Sequence, residues 1–185
     1  MINGQRAMAV YCGHQFGVSP NFRGDAEKLG RLMAEHKIHL IYGAGDAGLM
    51  GVVGRAVIEN DGQATGITTP HVQAKQEPVL EGINYEVANG IMERKQRMID
   101  LADAFCIVPG GIGTLNELTD IMTMHQVGES IKPIYFLNTD GYWNMFGAVL
   151  KHMIRSGFVK NQSWYNMNIL HSPEEVIAAY NSRFF

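Results

Sequence analysis

The fold is decided by the stretch Phe105-Cys-Ile-Val-Pro-Gly-Gly-Ile-Gly-Thr-Leu-Asn-Glu117. It begins with an apolar run that is too short for a helix and is typical of a buried strand. Pro109 ends this run, and three glycines follow it. They are Gly110, Gly111 and Gly113. Thr114 and Glu117 then have the spacing of a capping box, which marks the first turn of a helix. The stretch therefore predicts a strand, a glycine-rich turn and a helix N-terminus.

A junction of this kind directs backbone N–H groups and the positive end of a helix dipole toward one point, which suits a phosphate or another anion. Glycines at the junction let a ligand approach the backbone closely. The stretch is not a Walker A loop, because no Gly-Lys-Ser/Thr follows, and it matches the G-x-G-x-x-G dinucleotide fingerprint poorly. We interpret residues 110–114 as a candidate anion cradle.

Strand and helix patterns alternate along the rest of the chain. Further strands are expected at Ala7–Cys12, Ile38–Tyr42, Ala64–Thr68, Ile83–Val87 and Lys132–Leu137, and a short segment at Met167–Leu170. Helical patterns cover about 21–35, 46–59, 91–102, 115–127 and 142–156, and a last helix starts near Ser172. Asp46 is the expected N-cap of the second helix, and residues 69–82 are expected to form an irregular loop. The alternation predicts an α/β fold, with a Rossmann-like parallel sheet and helices on both faces.

Glycine-rich turns follow three of the expected strands, after Cys12, Tyr42 and Val108. In a parallel sheet these turns lie at the carboxyl edge, where ligands bind at the point at which the strand order reverses. We therefore expect one shared crevice there. The chain of 185 residues suits a single domain spanning residues 1–185.

Composition narrows the class of protein. The net charge is −3 with no basic run, so a dedicated nucleic-acid surface is not expected. Cys12 and Cys106 lie in expected strands, which disfavours a disulfide framework or a zinc site, and no metal site is expected. No apolar run approaches membrane-spanning length, and the N-terminus lacks a signal pattern. A cytoplasmic protein without membrane contact is expected.

Four motifs, in order, resemble those of the Lonely Guy (LOG) family, the cytokinin riboside 5′-monophosphate phosphoribohydrolases, whose members were often labelled lysine decarboxylases. The motifs are Cys12-Gly13, Tyr42-Gly-Ala-Gly-Asp-Ala-Gly-Leu-Met-Gly51, Met92-Glu-Arg-Lys95 and Pro109 to Glu117. The resemblance implies hydrolysis of a purine nucleoside 5′-monophosphate, a cytokinin riboside 5′-monophosphate or AMP, to free base and ribose 5-phosphate, with no cofactor. It also implies a homodimer with sites at the interface, for which the helices at 91–102 and 115–127 are the natural contact surfaces.

By position, the resemblance assigns catalysis to Arg94 and Glu117. Cleavage of a ribosyl–base bond builds positive charge on the sugar, which a carboxylate can stabilise while it orients water. A guanidinium can hold phosphate or ribose oxygens with its planar fork. The other substrate contacts expected from the resemblance are Lys95, Thr123, Glu77, Gly13, Gly43, Gly45, Gly110, Gly111, Ile112, Gly113 and Thr114. Without the resemblance, Glu117 is a capping residue, and Arg94 and Lys95 belong to a solvated helix face.

The chain departs from the family pattern at four positions, which are His14, Ala44, Met92 and Asn116. The changes at His14 and Met92 bear on the base pocket, and Asn116 leaves Glu117 as the only carboxylate of the usual pair. The alternative is a protein of this fold that carries a nucleotide or cofactor without turnover. Glu117 distinguishes the two, because a hydrolase needs a carboxylate beside the ribose and a carrier does not. A nicotinamide-dependent oxidoreductase is disfavoured, because no acidic residue ends the strand Ile38–Tyr42. Lysine decarboxylation is disfavoured as well, because Lys95 has no recognisable pyridoxal phosphate context.

Overall fold

The computed structural model describes residues 2, 4–74, 79–160 and 167–184. Within them a seven-stranded parallel sheet has the order β4-β3-β2-β1-β5-β6-β7. The strands are β1 (Ala7–Tyr11), β2 (His39–Tyr42), β3 (Ala64–Thr68), β4 (Asn84–Val87), β5 (Ala104–Ile107), β6 (Ile134–Leu137) and β7 (Met167–Leu170). The helices are α1 (Pro20–Glu35), α2 (Gly48–Ile58), α3 (Pro70–Gln73), α4 (Ile91–Leu101), α5 (Ile112–Val127), α6 (Asn144–Arg155) and α7 (Pro173–Phe184). This single Rossmann-like α/β domain confirms the predicted fold class.

Two apolar layers enclose the sheet. Helices α1, α2 and α7 pack on one face around Leu29, Val53 and Tyr180, and helices α4, α5 and α6 cover the other face around Met98 and Leu118. The central strands are buried on both faces, which explains why they appear in the sequence as continuous apolar runs rather than as alternating patterns.

The strand order reverses between β1 and β5, which are neighbours in the sheet although three strands separate them in the chain. In open α/β sheets this switch point opens a crevice beyond the carboxyl ends of the strands. The loop after β1 and the glycine-rich turn after β5 meet there, because the Gly13 amide donates to the Pro109 carbonyl at 3.0 Å. The topology therefore places the candidate anion cradle in the crevice.

The predicted capping box is wrong. Helix α5 begins at Ile112 with Gly111 as its N-cap, so Thr114 is the third helical residue and Glu117 lies in the second turn. The extended backbone at Gly111 leads directly into the helix, which moves its start toward the glycines. As a result, Glu117 does not cap α5, and its side chain projects from the second turn of the helix.

The expected N-cap of α2 is also wrong. The N-cap is Ala47, and the Asp46 carboxylate instead pairs with Arg55 within α2. An ion pair with an arginine inside α2 has displaced the local capping contact. The expected loop at 69–82 contains the short helix α3, because Thr69 accepts a hydrogen bond from the Val72 amide and Pro70 occupies the first turn.

In the part of the chain that the structure describes, no helix is both long enough and apolar enough to cross a membrane.

Candidate active site

A crevice of about 540 Å³ opens at the switch point, within the range of about 300–1,000 Å³ that small-molecule sites occupy. Its wall combines the loop after β1, the start of α5, one side chain of α4 and apolar side chains of α1 and α2. The lining residues are Cys12, Gly13, His14, Gln15, Phe16, Gly17, Phe22, Leu49, Met50, Val72, Arg94, Pro109, Gly110, Gly111, Ile112, Gly113, Thr114, Glu117 and Tyr142. One end of the crevice is therefore polar and rich in backbone amides, and the rest is largely apolar.

The polar end is built by the first turn of α5. The first helical hydrogen bond joins the Leu115 amide to the Gly111 carbonyl at 3.0 Å, so the amides of Ile112, Gly113 and Thr114 have no acceptor within the helix. Gly111 has no side chain with which to cap them. Free amides and the positive end of the dipole of α5 together make this turn suited to an anion.

Gly110 is required by close packing. A β-carbon at this position would overlap with the Thr114 side chain and would lie 2.9 Å from the Gly13 amide nitrogen. The glycine turn therefore lies directly against the loop after β1 and against the first turn of α5. This packing holds the two loops that form the polar end together.

Arg94 reaches the crevice from α4. Its Nε donates to the Ile67 carbonyl at 2.8 Å, and its Nη1 lies 3.5 Å from Oε1 of Glu117. The residue is only 7% exposed. Gly43 makes room for it, since a β-carbon there would overlap with the guanidinium. Arg94 is thus a fixed, buried cation beside a carboxylate.

Glu117 projects from the second turn of α5 with 13% of its side chain exposed. Burial raises the pKa of its carboxyl from 4.5 to about 7. The positive charges of Arg94 and Lys95 oppose this effect and lower the pKa, whereas the negative charge of Asp120 raises it further. A carboxyl with a pKa near neutrality can exchange a proton or carry a negative charge at the operating pH. Such a group, in a crevice, is a candidate for chemistry.

Lys95 lies behind this pair rather than on the crevice wall. Its Nζ donates to Oδ1 of Asn116 at 3.0 Å and pairs with Oδ2 of Asp120 at 2.6 Å. A pyridoxal phosphate enzyme needs a lysine that is available to form a Schiff base. The residues around Lys95 do not fit that cofactor, because the ammonium is committed to two oxygen partners.

The structure brings most of the expected site residues together. Arg94, Glu117, Gly13 and the five residues of the anion cradle line the crevice. Among the described residues, four expected contacts do not line it, which are Lys95, Thr123, Gly43 and Gly45. Thr123 is exposed on α5, and its hydroxyl donates to the Thr119 carbonyl at 2.8 Å. Glu77 lies outside the described residues.

The four departures from the family pattern fall in different places. His14 lines the crevice, whereas Met92 is exposed on α4. Ala44 has a left-handed backbone (φ +64°), a conformation that favours glycine. Asn116 is the hydrogen-bond partner of Lys95. Of the four, only His14 can contact a bound molecule in this crevice.

Sequence reasoning missed the apolar wall and Tyr142. Phe22 and Met50 come from helical stripes that look like ordinary core, so no local pattern marks them as crevice residues. Tyr142 could have been found, because it follows β6 at the same carboxyl edge as the three glycine-rich turns. Its hydroxyl donates to the Gly110 carbonyl at 2.5 Å.

Cys12 also lines the crevice, but burial raises the pKa of its thiol well above the usual range. A nucleophilic cysteine needs the opposite shift, so Cys12 is an apolar wall residue. Within the described ranges, no group of three or more His, Cys, Asp or Glu side chains is placed to hold a metal ion.

The fold and this site define a Rossmann-like α/β protein with a crevice at the carboxyl edge of its sheet, one end of which is suited to an anion. A protein-family model described as "possible lysine decarboxylase" matches residues 50–180. Among relatives, the chain is 36% identical over 157 residues to the Oryza sativa subsp. japonica cytokinin riboside 5′-monophosphate phosphoribohydrolase LOG. It is 36% identical over 155 residues to the Arabidopsis thaliana enzyme LOG7 of the same description, with 83% of this chain and 71% of the relative aligned. The chain belongs to the LOG family.

The aligned lengths differ among these relatives. The alignment with the rice protein covers 83% of this chain and 64% of the relative, so the chain spans less than two thirds of that relative's length. The Rhodococcoides fascians protein named cytokinin riboside 5′-monophosphate phosphoribohydrolase is 29% identical over 178 residues, covering 96% of this chain and 90% of the relative.

Solved structures share the fold. The molybdenum cofactor binding protein of Rippkaea orientalis superposes with a TM-score of 0.72 at 21% identity, covering 98% of each chain. The molybdenum cofactor carrier protein of Chlamydomonas reinhardtii superposes with a TM-score of 0.70 at 17% identity, covering 96% of this chain and 97% of the other. At these identities the likeness concerns the fold alone.

Proposed function

We propose that this protein hydrolyses the N-glycosidic bond of a purine nucleoside 5′-monophosphate and releases the free base and ribose 5-phosphate. Membership of the LOG family supports the reaction class, since relatives carry the name phosphoribohydrolase. The proposal depends most on the Glu117 carboxylate, which lies 3.5 Å from the Arg94 guanidinium. Both side chains line the crevice, together with the N-terminal turn of α5.

In this proposal the 5′-phosphate binds the free amides of Ile112, Gly113 and Thr114. Departure of the base leaves positive charge on the ribose, and the ionised Glu117 carboxylate stabilises that charge and orients the attacking water. Arg94 holds a ribose or phosphate oxygen and keeps the sugar beside the carboxylate. The base leaves with the bonding electrons and takes up a proton, while the attacking water supplies the hydroxyl at the sugar carbon and releases the proton that balances the one gained by the base.

The base occupies the apolar part of the crevice. Phe16, Phe22, Met50 and Val72 line this part, and aromatic and thioether side chains suit the faces of a purine. An N6-substituent of a cytokinin adds apolar surface that such a wall can bury. We therefore propose cytokinin riboside 5′-monophosphates and AMP as the substrates to compare, with His14 at the rim as the polar residue that can contact the base.

The test is release of free base from a panel of nucleoside 5′-monophosphates that includes AMP and isopentenyl-AMP. We expect release from phosphorylated substrates, no release from the corresponding nucleosides, and a loss of at least about a hundredfold in Glu117→Ala. Glu59→Ala is the matched control, because Glu59 is exposed at the end of α2 and does not line the crevice. Tight nucleotide binding without release from any substrate would contradict the proposal and would indicate a carrier.

We also propose that the protein forms a homodimer through α4 and α5. Both helices expose apolar side chains, including Met92 at 69% and Ile112 at 82% exposure, and Ile112 also lines the crevice. The exposed Thr123 lies on α5 as well, so a partner packed on this face would bring it toward an interface. Light scattering should give twice the chain mass of 20.5 kDa. Val127→Glu on α5 should give the monomer mass, whereas Val18→Glu outside these helices should not; a monomeric wild type would refute the dimer.

A further inference from the structure

Tyr142 connects the turn after β6 to the anion cradle. Its hydroxyl donates to the Gly110 carbonyl at 2.5 Å, at the short end of the range for O–H···O hydrogen bonds. The residue lines the crevice and is 41% exposed. Tyr142 therefore contacts the anion cradle as well as leading into α6, which begins two positions later at Asn144.

The turn that presents Tyr142 is fixed by other contacts. Asp140 and Gly141 both have left-handed backbones, with φ of +53° and +72°. The Asp140 carboxylate accepts hydrogen bonds from the Ser19 hydroxyl at 2.5 Å and from the Asn21 amide at 3.0 Å, both at the start of α1. These bonds support a left-handed conformation that most residues other than glycine avoid and that aspartate and asparagine adopt more readily. The turn is thus anchored on α1, outside the cradle.

The aromatic ring of Tyr142 is held as well. It packs edge-on against Phe22 with ring centroids 5.7 Å apart and against Trp143 at 5.0 Å. Edge-to-face pairs of this kind add to the burial of the rings. The hydroxyl is therefore delivered to Gly110 from a ring and a turn that are both constrained.

The contact matters because the cradle is made of glycines. Gly110, Gly111 and Gly113 have the largest backbone freedom of any residues, and this freedom must be lost when the cradle binds an anion. In a trans peptide the carbonyl of Gly110 and the amide of Gly111 lie in one plane and point in opposite directions. A hydrogen bond that fixes this carbonyl also fixes the direction of the amide at the N-cap of α5.

We propose that Tyr142 is a positioning residue for phosphate binding: its hydroxyl holds the Gly110–Gly111 peptide in the orientation that the anion cradle requires. The proposal deepens the proposed function, on which it rests only in assigning the 5′-phosphate to the cradle. Tyr142 acts through Gly110 and takes no part in bond cleavage. It should therefore affect the binding of phosphorylated ligands and leave the chemical step unchanged.

The test uses Tyr142→Phe, which keeps the ring and removes the hydroxyl, and Tyr85→Phe on β4 as the matched control. Titration calorimetry measures binding of ribose 5-phosphate, AMP and adenosine. We expect Tyr142→Phe to bind ribose 5-phosphate and AMP about three- to tenfold more weakly, as one hydrogen bond allows, and adenosine equally. In base-release assays KM for AMP should rise by the same factor, while kcat stays within about twofold. Tyr85→Phe should match the wild type throughout.

Three results would overturn the inference: equal affinity of Tyr142→Phe and wild type for ribose 5-phosphate, an equal loss of affinity for AMP and adenosine, or no binding of ribose 5-phosphate to the wild type. Asp140→Asn is a second variant, since asparagine tolerates the left-handed backbone but weakens the anchor on α1. Its effect should disappear when it is combined with Tyr142→Phe, and additive effects would contradict the mechanism. A wild type that binds ribose 5-phosphate but releases no base would refute the proposed hydrolysis and leave the positioning role testable by calorimetry.

Discussion

Glu117 makes the stability of the protein depend on pH in a direction opposite to that of most carboxylates. Burial raises the pKa of its carboxyl from 4.5 to about 7 in the folded state. The folded protein therefore binds more protons than the unfolded chain between these two values, and stability is lost as the pH rises through this window. The change from 4.5 to about 7 corresponds to about 3 kcal/mol, most of which falls between pH 5 and pH 8.

Glu117→Gln isolates this contribution, because the amide has the shape of the carboxyl and does not ionise. Urea unfolding of wild type and variant should be measured at pH 5, 6, 7 and 8. Other groups titrate in both proteins, so the difference between the two reports this carboxyl alone. We expect the variant to gain about 2 to 3 kcal/mol relative to the wild type from pH 5 to pH 8. Parallel profiles would refute the argument from burial, and a relative gain by the wild type would mean that the ion pair with Arg94 outweighs burial.

The remaining predictions concern activity and packing. Since the proposed hydrolysis needs the ionised form of Glu117, kcat/KM should fall about tenfold per unit below pH 7 and level off above it; a flat profile from pH 5 to pH 8 would contradict this. Gly43→Ala places a β-carbon against the Arg94 guanidinium, so kcat/KM should drop about a hundredfold and unfolding free energy should fall by about 1–3 kcal/mol; an unchanged kcat/KM would contradict this. Gly66→Ala places a β-carbon 2.7 Å from that of Ala44, so unfolding free energy should fall by about 2 kcal/mol, and Ala44→Gly should restore part of it; additive effects would argue against this contact.

The fold could be predicted because its signals are local and repeated. Each strand at the centre of the sheet is a short apolar run followed by glycine, and each helix carries an apolar stripe. Because the connections are right-handed crossovers between parallel strands, all strands end at the same edge of the sheet, and the turns after them lie there. Arg94 and Glu117 were expected from the family motifs, and the structure places them 3.5 Å apart.

The details that were wrong or missed depend on contacts between distant residues. Asp46 has a good capping residue type, but Arg55 takes its carboxylate, and spacing alone does not predict which contact wins. Thr114 has the spacing of a capping box, yet the glycine before Ile112 starts α5 earlier. Tyr142 reaches Gly110 across 32 positions of sequence, and a periodic pattern holds no information about such a contact.

The departure from the family pattern at Asn116 affects the charges around Glu117, because Asn116 contacts Lys95. The resemblance implies a second carboxylate at this position, which would accept the hydrogen bond from Lys95 and add a negative charge beside that of Asp120. Asn116 accepts the same hydrogen bond without adding charge, so Lys95 retains an influence that lowers the pKa of Glu117. A second carboxylate at position 116, directly before Glu117 on α5, would instead raise that pKa through like-charge repulsion. The neutral side chain therefore favours the ionised form of Glu117, the form that the proposed reaction requires.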